Sequence, residues 1–376
     1  MKYTELTILA RLVYNYVMLD QELSLFHDTA PLMAITELQC PLPAPEVLWS
    51  ARNADQWSTA VQSIYGCTAN VNPQLLSSTS LTPSLCDLFQ DFLNDNLSRR
   101  QSSLSPQQLR LLLHPLQSLL SHLRQMLTCL SDITSTRRTE NRVMTKNSTK
   151  ERLEEAQELL QRWYDLSMIQ FKANPNCQIT RCNMVFYHLI SLNAVTNFPE
   201  IERLARREGF EGSYWELSLR HKRCIFGREE AIFHCGQVFR HLRSMLSESR
   251  PSWWSAALYR ATLTLWADGI STLDPNFQRG SSGTGNNNLV KIDQLTPEDP
   301  AVNAYRCGGE GLAVLTGLDG LYISLDKPAE VLHYAIRNIN AGFSSRIGDG
   351  IKRKLIALGN NWSLDTMGAS AGYATA

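Results

Sequence analysis

The stretch LRLLLHPLQSLLSHLRQMLTCL, residues 109–130, gives the clearest indication of the fold. Its apolar side chains recur every three or four residues, which places them along one face of an α-helix. Pro115 predicts a kink or break, because proline removes an intrahelical hydrogen bond and clashes with the preceding turn. Two interpretations remain open, a buried core helix, which we favour, and a seam between two copies. The a and d positions of this heptad pattern are Leu109, Leu112, Leu116, Leu119, Leu123, Met126 and Leu130.

Helical periodicity also dominates the rest of the chain. Near the N-terminus, Leu9, Leu12 and Tyr16 share one helix face, and the proline-rich residues 41–45 end that pattern. No run of alternating β-branched residues is long enough to build a sheet. The predicted fold class is therefore all-α, a large multi-helix array with long loops. Later segments with helical spacing are residues 182–195, 199–207, 228–246, 253–268, 328–339 and 346–358.

A polar stretch without periodicity, residues 134–148, predicts a linker or loop between two helical halves, 1–133 and 149–376. Ser148 and Glu151 match a capping box, which predicts that a helix begins there. The sequence GSSGTGNNN lies in a segment, residues 274–300, that we expect to be a flexible loop.

Composition narrows the function classes. The 376 residues carry 36 Lys and Arg against 36 Asp and Glu, so the chain lacks the overall basic charge expected of autonomous nucleic-acid binding. Nine scattered cysteines without a C-x-x-C spacing indicate a reducing compartment. Glu5 and Arg11 would interrupt the apolar core of a signal peptide, so we expect a protein that is not secreted. The longest apolar stretches are also interrupted by charges, and no membrane association is predicted.

Glu230, His234 and His241 form the densest titratable group. Spacings of four and seven residues place them along one face of a helix. Such a face could hold a general acid and base or a metal pair, although we favour a helix face that is solvated or hydrogen-bonded internally. No catalytic residue is therefore asserted, and these three are the first to test for chemistry.

No metal or cofactor site is predicted. Cys177 and Cys182 have no second pair at a matching distance. The glycines at 280, 283 and 285 follow no strand and precede no Lys-Ser/Thr pair, as a phosphate-binding loop would require. The run RHKR at residues 220–223 predicts a short solvated basic patch.

Aromatic residues are concentrated in one predicted helix, where Trp253, Trp254 and Tyr259 could line an apolar ligand pocket. Large aromatic side chains are more often anchors of a packed core. Periodicity alone leaves both interpretations open.

Two long segments resemble the regulatory (middle homology) region of fungal-specific transcription factors. The first, LDQELSLFHDTAPLMAITELQCPLPAPEVLWSARNADQW, covers residues 19–57. The second, IFHCGQVFRHLRSMLSESRPSWWSAALYRATLTLWADG, covers residues 232–269 and looks like the later part of that region in members with C2H2 zinc fingers. Residues 328–362 are compatible with its C-terminal helices. The family-like positions of the first segment are Leu19-Asp20, Pro31, Glu37, Leu42-Pro43, Trp49-Ser50-Ala51 and Trp57.

This resemblance implies an all-helical module that usually lies C-terminal to a zinc-dependent DNA-binding domain in a nuclear regulator. Within this sequence neither a C2H2 finger spacing nor a six-cysteine zinc cluster occurs. We therefore expect no DNA-binding domain and no autonomous DNA binding, but a protein partner or a homodimer. The resemblance implies a nuclear location, with the cytoplasm as the alternative.

Two function classes follow. We favour a regulator-like protein that acts through protein contacts, in control of a fungal biosynthetic pathway. The alternative is a repurposed regulator-like scaffold that binds or transforms a hydrophobic small metabolite in such a pathway, because a fold does not determine a function. Were the chain an enzyme, a cofactor-independent isomerase or cyclase would be the expectation.

Overall fold

The computed structural model describes residues 2–65, 83–99, 104–131, 141–210, 215–274, 289–308 and 311–362. Within these ranges the chain forms fourteen α-helices and one small sheet, so the all-α prediction is confirmed. The chain divides into two compact units, Met1–Arg152 and Leu153–Ala376. None of the helices in the described ranges is long and apolar enough to cross a membrane.

The first unit is built on two long helices, α1 and α5, which pack against each other. Polar side chains fix their contact, since the Gln117 side-chain amide donates to Ser24 Oγ at 2.7 Å and to the Gln21 carbonyl at 3.3 Å. The unit comprises α1 (Lys2–His27), α2 (Glu46–Trp49), α3 (Ala54–Tyr65), α4 (Leu85–Leu93), α5 (Pro106–Ser131) and the first part of α6 (Asn141–Ala173).

Helix α5 contains the heptad stretch, and its residues 109–117 are all buried, as the core-helix interpretation predicts. The later positions Leu119 and Met126 are exposed. The predicted break is wrong, because the helix continues through Pro115 from Pro106 to Ser131. Burial on every side of this stretch outweighs the local cost of the proline.

Helix α6 begins at Asn141, inside the predicted linker, and continues past the predicted cap to Ala173. The capping-box prediction at Ser148 and Glu151 is therefore wrong, as is the loop prediction for residues 141–148. This segment lacks an apolar period but also lacks the Gly or Pro that would stop a helix. Residues 134–140 of the predicted linker lie outside the described residues.

The second unit is centred on α10, which packs against both α7 and α11. Helix α10 is buried almost all round, the pattern of a central core helix. Besides the later part of α6, the helices of this unit are α7 (Gln178–Val195), α8 (Phe198–Ala205), α9 (Trp215–Cys224), α10 (Arg228–Ser244), α11 (Trp254–Ser271), α12 (Pro300–Gly308), α13 (Pro328–Asn340) and α14 (Arg346–Asn361).

A three-stranded sheet is the main feature that the sequence analysis missed. Strand β1 (Leu289–Lys291) pairs in parallel with β2 (Leu312–Thr316), which pairs antiparallel with β3 (Tyr322–Ser324). Strands of three to five residues are too short to show an alternating pattern. Strand β1 also lies within the predicted loop 274–300, of which residues 275–288 are outside the described residues.

Candidate functional site

Helix α10 carries Glu230, His234 and His241, which point towards the interior of the second unit. His234 and His241 are only 3% and 6% exposed, whereas 28% of the Glu230 side chain is exposed. This burial excludes a solvated helix face for His234 and His241. His234 is hydrogen-bonded internally, to Glu230 and to a histidine of the facing helix.

A third histidine, His188 of α7, joins this group from the facing helix. Its Nδ1 lies 2.9 Å from Nδ1 of His234, and its ring stacks on His241 with centroids 5.5 Å apart. The side chain of His188 is fully buried. We call His188, His234, His241 and Glu230 the histidine cluster.

The hydrogen bonds of the histidine cluster fix the position of one proton. Glu230 can only accept, so the 3.0 Å contact assigns a proton to Nε2 of His234. At the 2.9 Å contact between the Nδ1 atoms of His234 and His188, one nitrogen donates and the other accepts. Nε2 of His188 has no hydrogen-bond partner among the described residues.

Glu230 connects the histidine cluster to Arg306 of α12. Both guanidinium contacts are short, Nε to Oε2 at 2.8 Å and Nη2 to Oε1 at 2.7 Å, and the guanidinium lies over the ring of Phe233. Burial by itself would raise the pKa of Glu230. The hydrogen bond from His234 and the ion pair with Arg306 instead hold that pKa well below its usual range. The carboxylate therefore stays charged and orients His234.

Burial raises the pKa of a carboxyl group but lowers that of an imidazole, and His188 and His241 show this second effect. It lowers the pKa of His188 well below its usual value, and the neighbouring His234 and His241 add to this effect. Burial, followed by the charges of Arg240 and Arg181, lowers the pKa of His241 to about 3. Both imidazoles are therefore neutral at physiological pH.

Tyrosine rings surround the histidine cluster on the side of α7 and α6. Tyr187 meets His188 edge-on at 4.9 Å between centroids, and Tyr164 lies 4.9 Å from Tyr187. Burial raises the pKa of both phenols, so they remain protonated. The surroundings of the histidines are thus aromatic and tightly packed.

Two surface clefts of the second unit lie apart from the histidine cluster. One, of about 490 Å³, lies beside β3 and α13 and includes Tyr322, His333 and Arg337 in its lining. The other, of about 460 Å³, lies between α8, α11 and α14 and includes Tyr259 and Lys354. Neither cleft is lined by a residue of the histidine cluster, so neither would present a ligand to those imidazoles.

The three aromatic residues proposed as a pocket lining face different neighbours. Trp253 packs edge-on against Phe186, with centroids 4.6 Å apart. Trp254 lies under the guanidinium of Arg250. Only Tyr259 borders one of the clefts described above. Trp253 and Trp254 line neither of the two clefts described above.

A second buried polar group, which sequence analysis missed, joins α9, α10 and α11. Asp268 is 1% exposed and accepts from Arg228 at 2.7 and 2.9 Å, and its Oδ1 lies 2.9 Å from Nε2 of His221. Burial alone would raise the pKa of Asp268, but His221 and Arg228 hold it below its usual range. The prediction of a solvated patch at residues 220–223 is therefore wrong for His221, which is buried.

Neither polar group has its side chains arranged as a metal centre. Among the described residues no set of three or more His, Cys, Asp or Glu side chains is arranged to hold a metal ion. The eight cysteines in those ranges are free thiols. Cys177 and Cys182, considered above as ligands, are half-buried.

Comparison with known proteins identifies fungal relatives. The chain is 46% identical over 357 residues to transcription factor PfmaH of Pestalotiopsis fici, across 94% of this chain and 35% of that protein. It is 42% identical to a transcription factor of Zymoseptoria tritici, across 92% of this chain and 37% of the relative. Identity to transcription factor 1 of Elsinoe fawcettii is also 42%, across 92% and 35% of the two chains.

These matches cover the chain almost completely, yet the chain spans only about a third of the length of the curated relatives it matches. No family model matches the chain. No solved structure matches it either.

Proposed function

We propose that this chain is the regulatory part of a fungal transcription regulator and acts through protein contacts. The observation that supports this proposal most directly is the 46% identity, over 94% of the chain, to a protein named as a transcription factor. The resemblance of residues 19–57 and 232–269 to the middle homology region supports the same assignment.

DNA recognition belongs to a different part of the proposed regulator or to a partner. The chain corresponds to about a third of its relatives, which leaves room in a protein of their length for a separate DNA-binding domain. The equal numbers of basic and acidic residues support this division, since phosphate binding depends on excess Lys and Arg. We also propose that this regulator is located in the nucleus and that it controls a biosynthetic pathway.

The packing around the histidine cluster supports a regulator more than an enzyme. A catalytic base must reach a substrate, whereas His188 and His234 are buried and face each other. The described clefts lie elsewhere on the second unit. The hydrogen bonds of the histidine cluster, together with the ion pair to Arg306, therefore connect α7, α10 and α12.

A tethering experiment tests the proposal directly. The 376-residue chain is fused to a heterologous DNA-binding domain, and transcription from a reporter with the matching operator is measured. We expect transcription to change at least about threefold relative to the DNA-binding domain alone. A fusion that is nuclear and folded but leaves the reporter unchanged would contradict the regulatory assignment.

Gene deletion separates regulation from metabolism. Transcripts and metabolites of the pathway are followed in the same cultures of intact and deleted cells. A coordinated change in transcripts together with their products supports the regulator. Unchanged transcripts with an accumulated precursor would instead indicate the hydrophobic-metabolite alternative.

A further inference from the structure

We draw no further inference here: the strongest candidate, the exposed apolar face of helix α1 that carries Leu9, Leu12, Tyr16, Leu19 and Leu23, supports none, because nothing in the structure shows what covers it.

Discussion

Nδ1 of His188 and Nδ1 of His234 lie 2.9 Å apart at the contact between α7 and α10. Two imidazoles can share this contact only if one nitrogen donates and the other accepts. The carboxylate of Glu230 accepts a hydrogen bond from Nε2, on the other side of the His234 ring. A single partly exposed carboxylate thus organises a hydrogen-bond chain that extends into the core.

Replacing this carboxylate should destabilise the second unit. In E230Q the side chain no longer compensates the charge of Arg306, whose guanidinium is 25% exposed. We expect the free energy of unfolding to fall by about 2–3 kcal/mol, since removal of one partner leaves a partly buried charge unpaired. Urea denaturation measures the change. E248Q, at an exposed position, is the control and should stay within about 0.5 kcal/mol of the unmodified chain.

Acid should destabilise the second unit before its carboxylates titrate. The pKa values of His188 and His241 are lowered in the folded state, so the unfolded chain binds protons first as the pH falls through about 6.5. The contribution of these two neutral histidines to the free energy of unfolding is complete above that pH and is lost progressively below it. At pH 5 we expect a loss of about 2 kcal/mol for each of these histidines relative to pH 7.

The H241Q variant isolates one of these contributions. It removes a group whose folded-state pKa is about 3, so the slope of unfolding free energy against pH between 5 and 6.5 should decrease by about 1 kcal/mol per pH unit. Urea denaturation at several pH values gives the slope directly. An unchanged slope would show that His241 takes up its proton in the folded state.

The sequence predicts the elements that follow a regular period. The spacing of Glu230, His234 and His241 placed these residues on one helix face, as the structure shows. The identity of the facing residue, His188, depends on how α7 packs against α10, and no local spacing encodes that contact. Sequence reasoning therefore found three of the four residues of the histidine cluster.

The buried Asp268 group shows the same limit. His221 lies between charged neighbours in the run RHKR, which is typical of a surface, yet its ring is buried against α11. Asp268 interrupts an apolar stretch of α11, and it is the charge that pairs with Arg228. Tertiary pairing of groups 40 and 47 residues apart decides their burial, and a single sequence does not reveal it.

Thiol labelling should distinguish the cysteines by burial. Cys129 and Cys307 are exposed, whereas Cys224 and Cys235 are buried. Burial raises the pKa of Cys224 to about 12 and raises that of Cys235 as well, so few of these thiols are reactive thiolates. Mass spectrometry after brief treatment with iodoacetamide should find the exposed pair labelled first. Comparable labelling of Cys235 in the native chain would contradict its placement in the core.

Gly236, the single glycine of α10, should not tolerate replacement by alanine. A Cβ built there would lie 2.6 Å from the carbonyl carbon of Ile292, at the end of β1, so an added methyl group would force the backbone apart. Alanine has the better helix propensity by about 1 kcal/mol. We nevertheless expect G236A to lower the free energy of unfolding by about 1–3 kcal/mol, because the added carbon overpacks the contact.

The G350A variant is the matched control for this close approach. Gly350 also lies within a helix, α14, but an added Cβ would meet no atom within 4 Å. Its replacement should therefore raise the free energy of unfolding by up to about 1 kcal/mol through helix propensity alone. Urea denaturation of the two variants should give changes of opposite sign. A stabilised G236A would mean that the backbone at Ile292 is free to move away from α10, and the small sheet would then not be held against that helix.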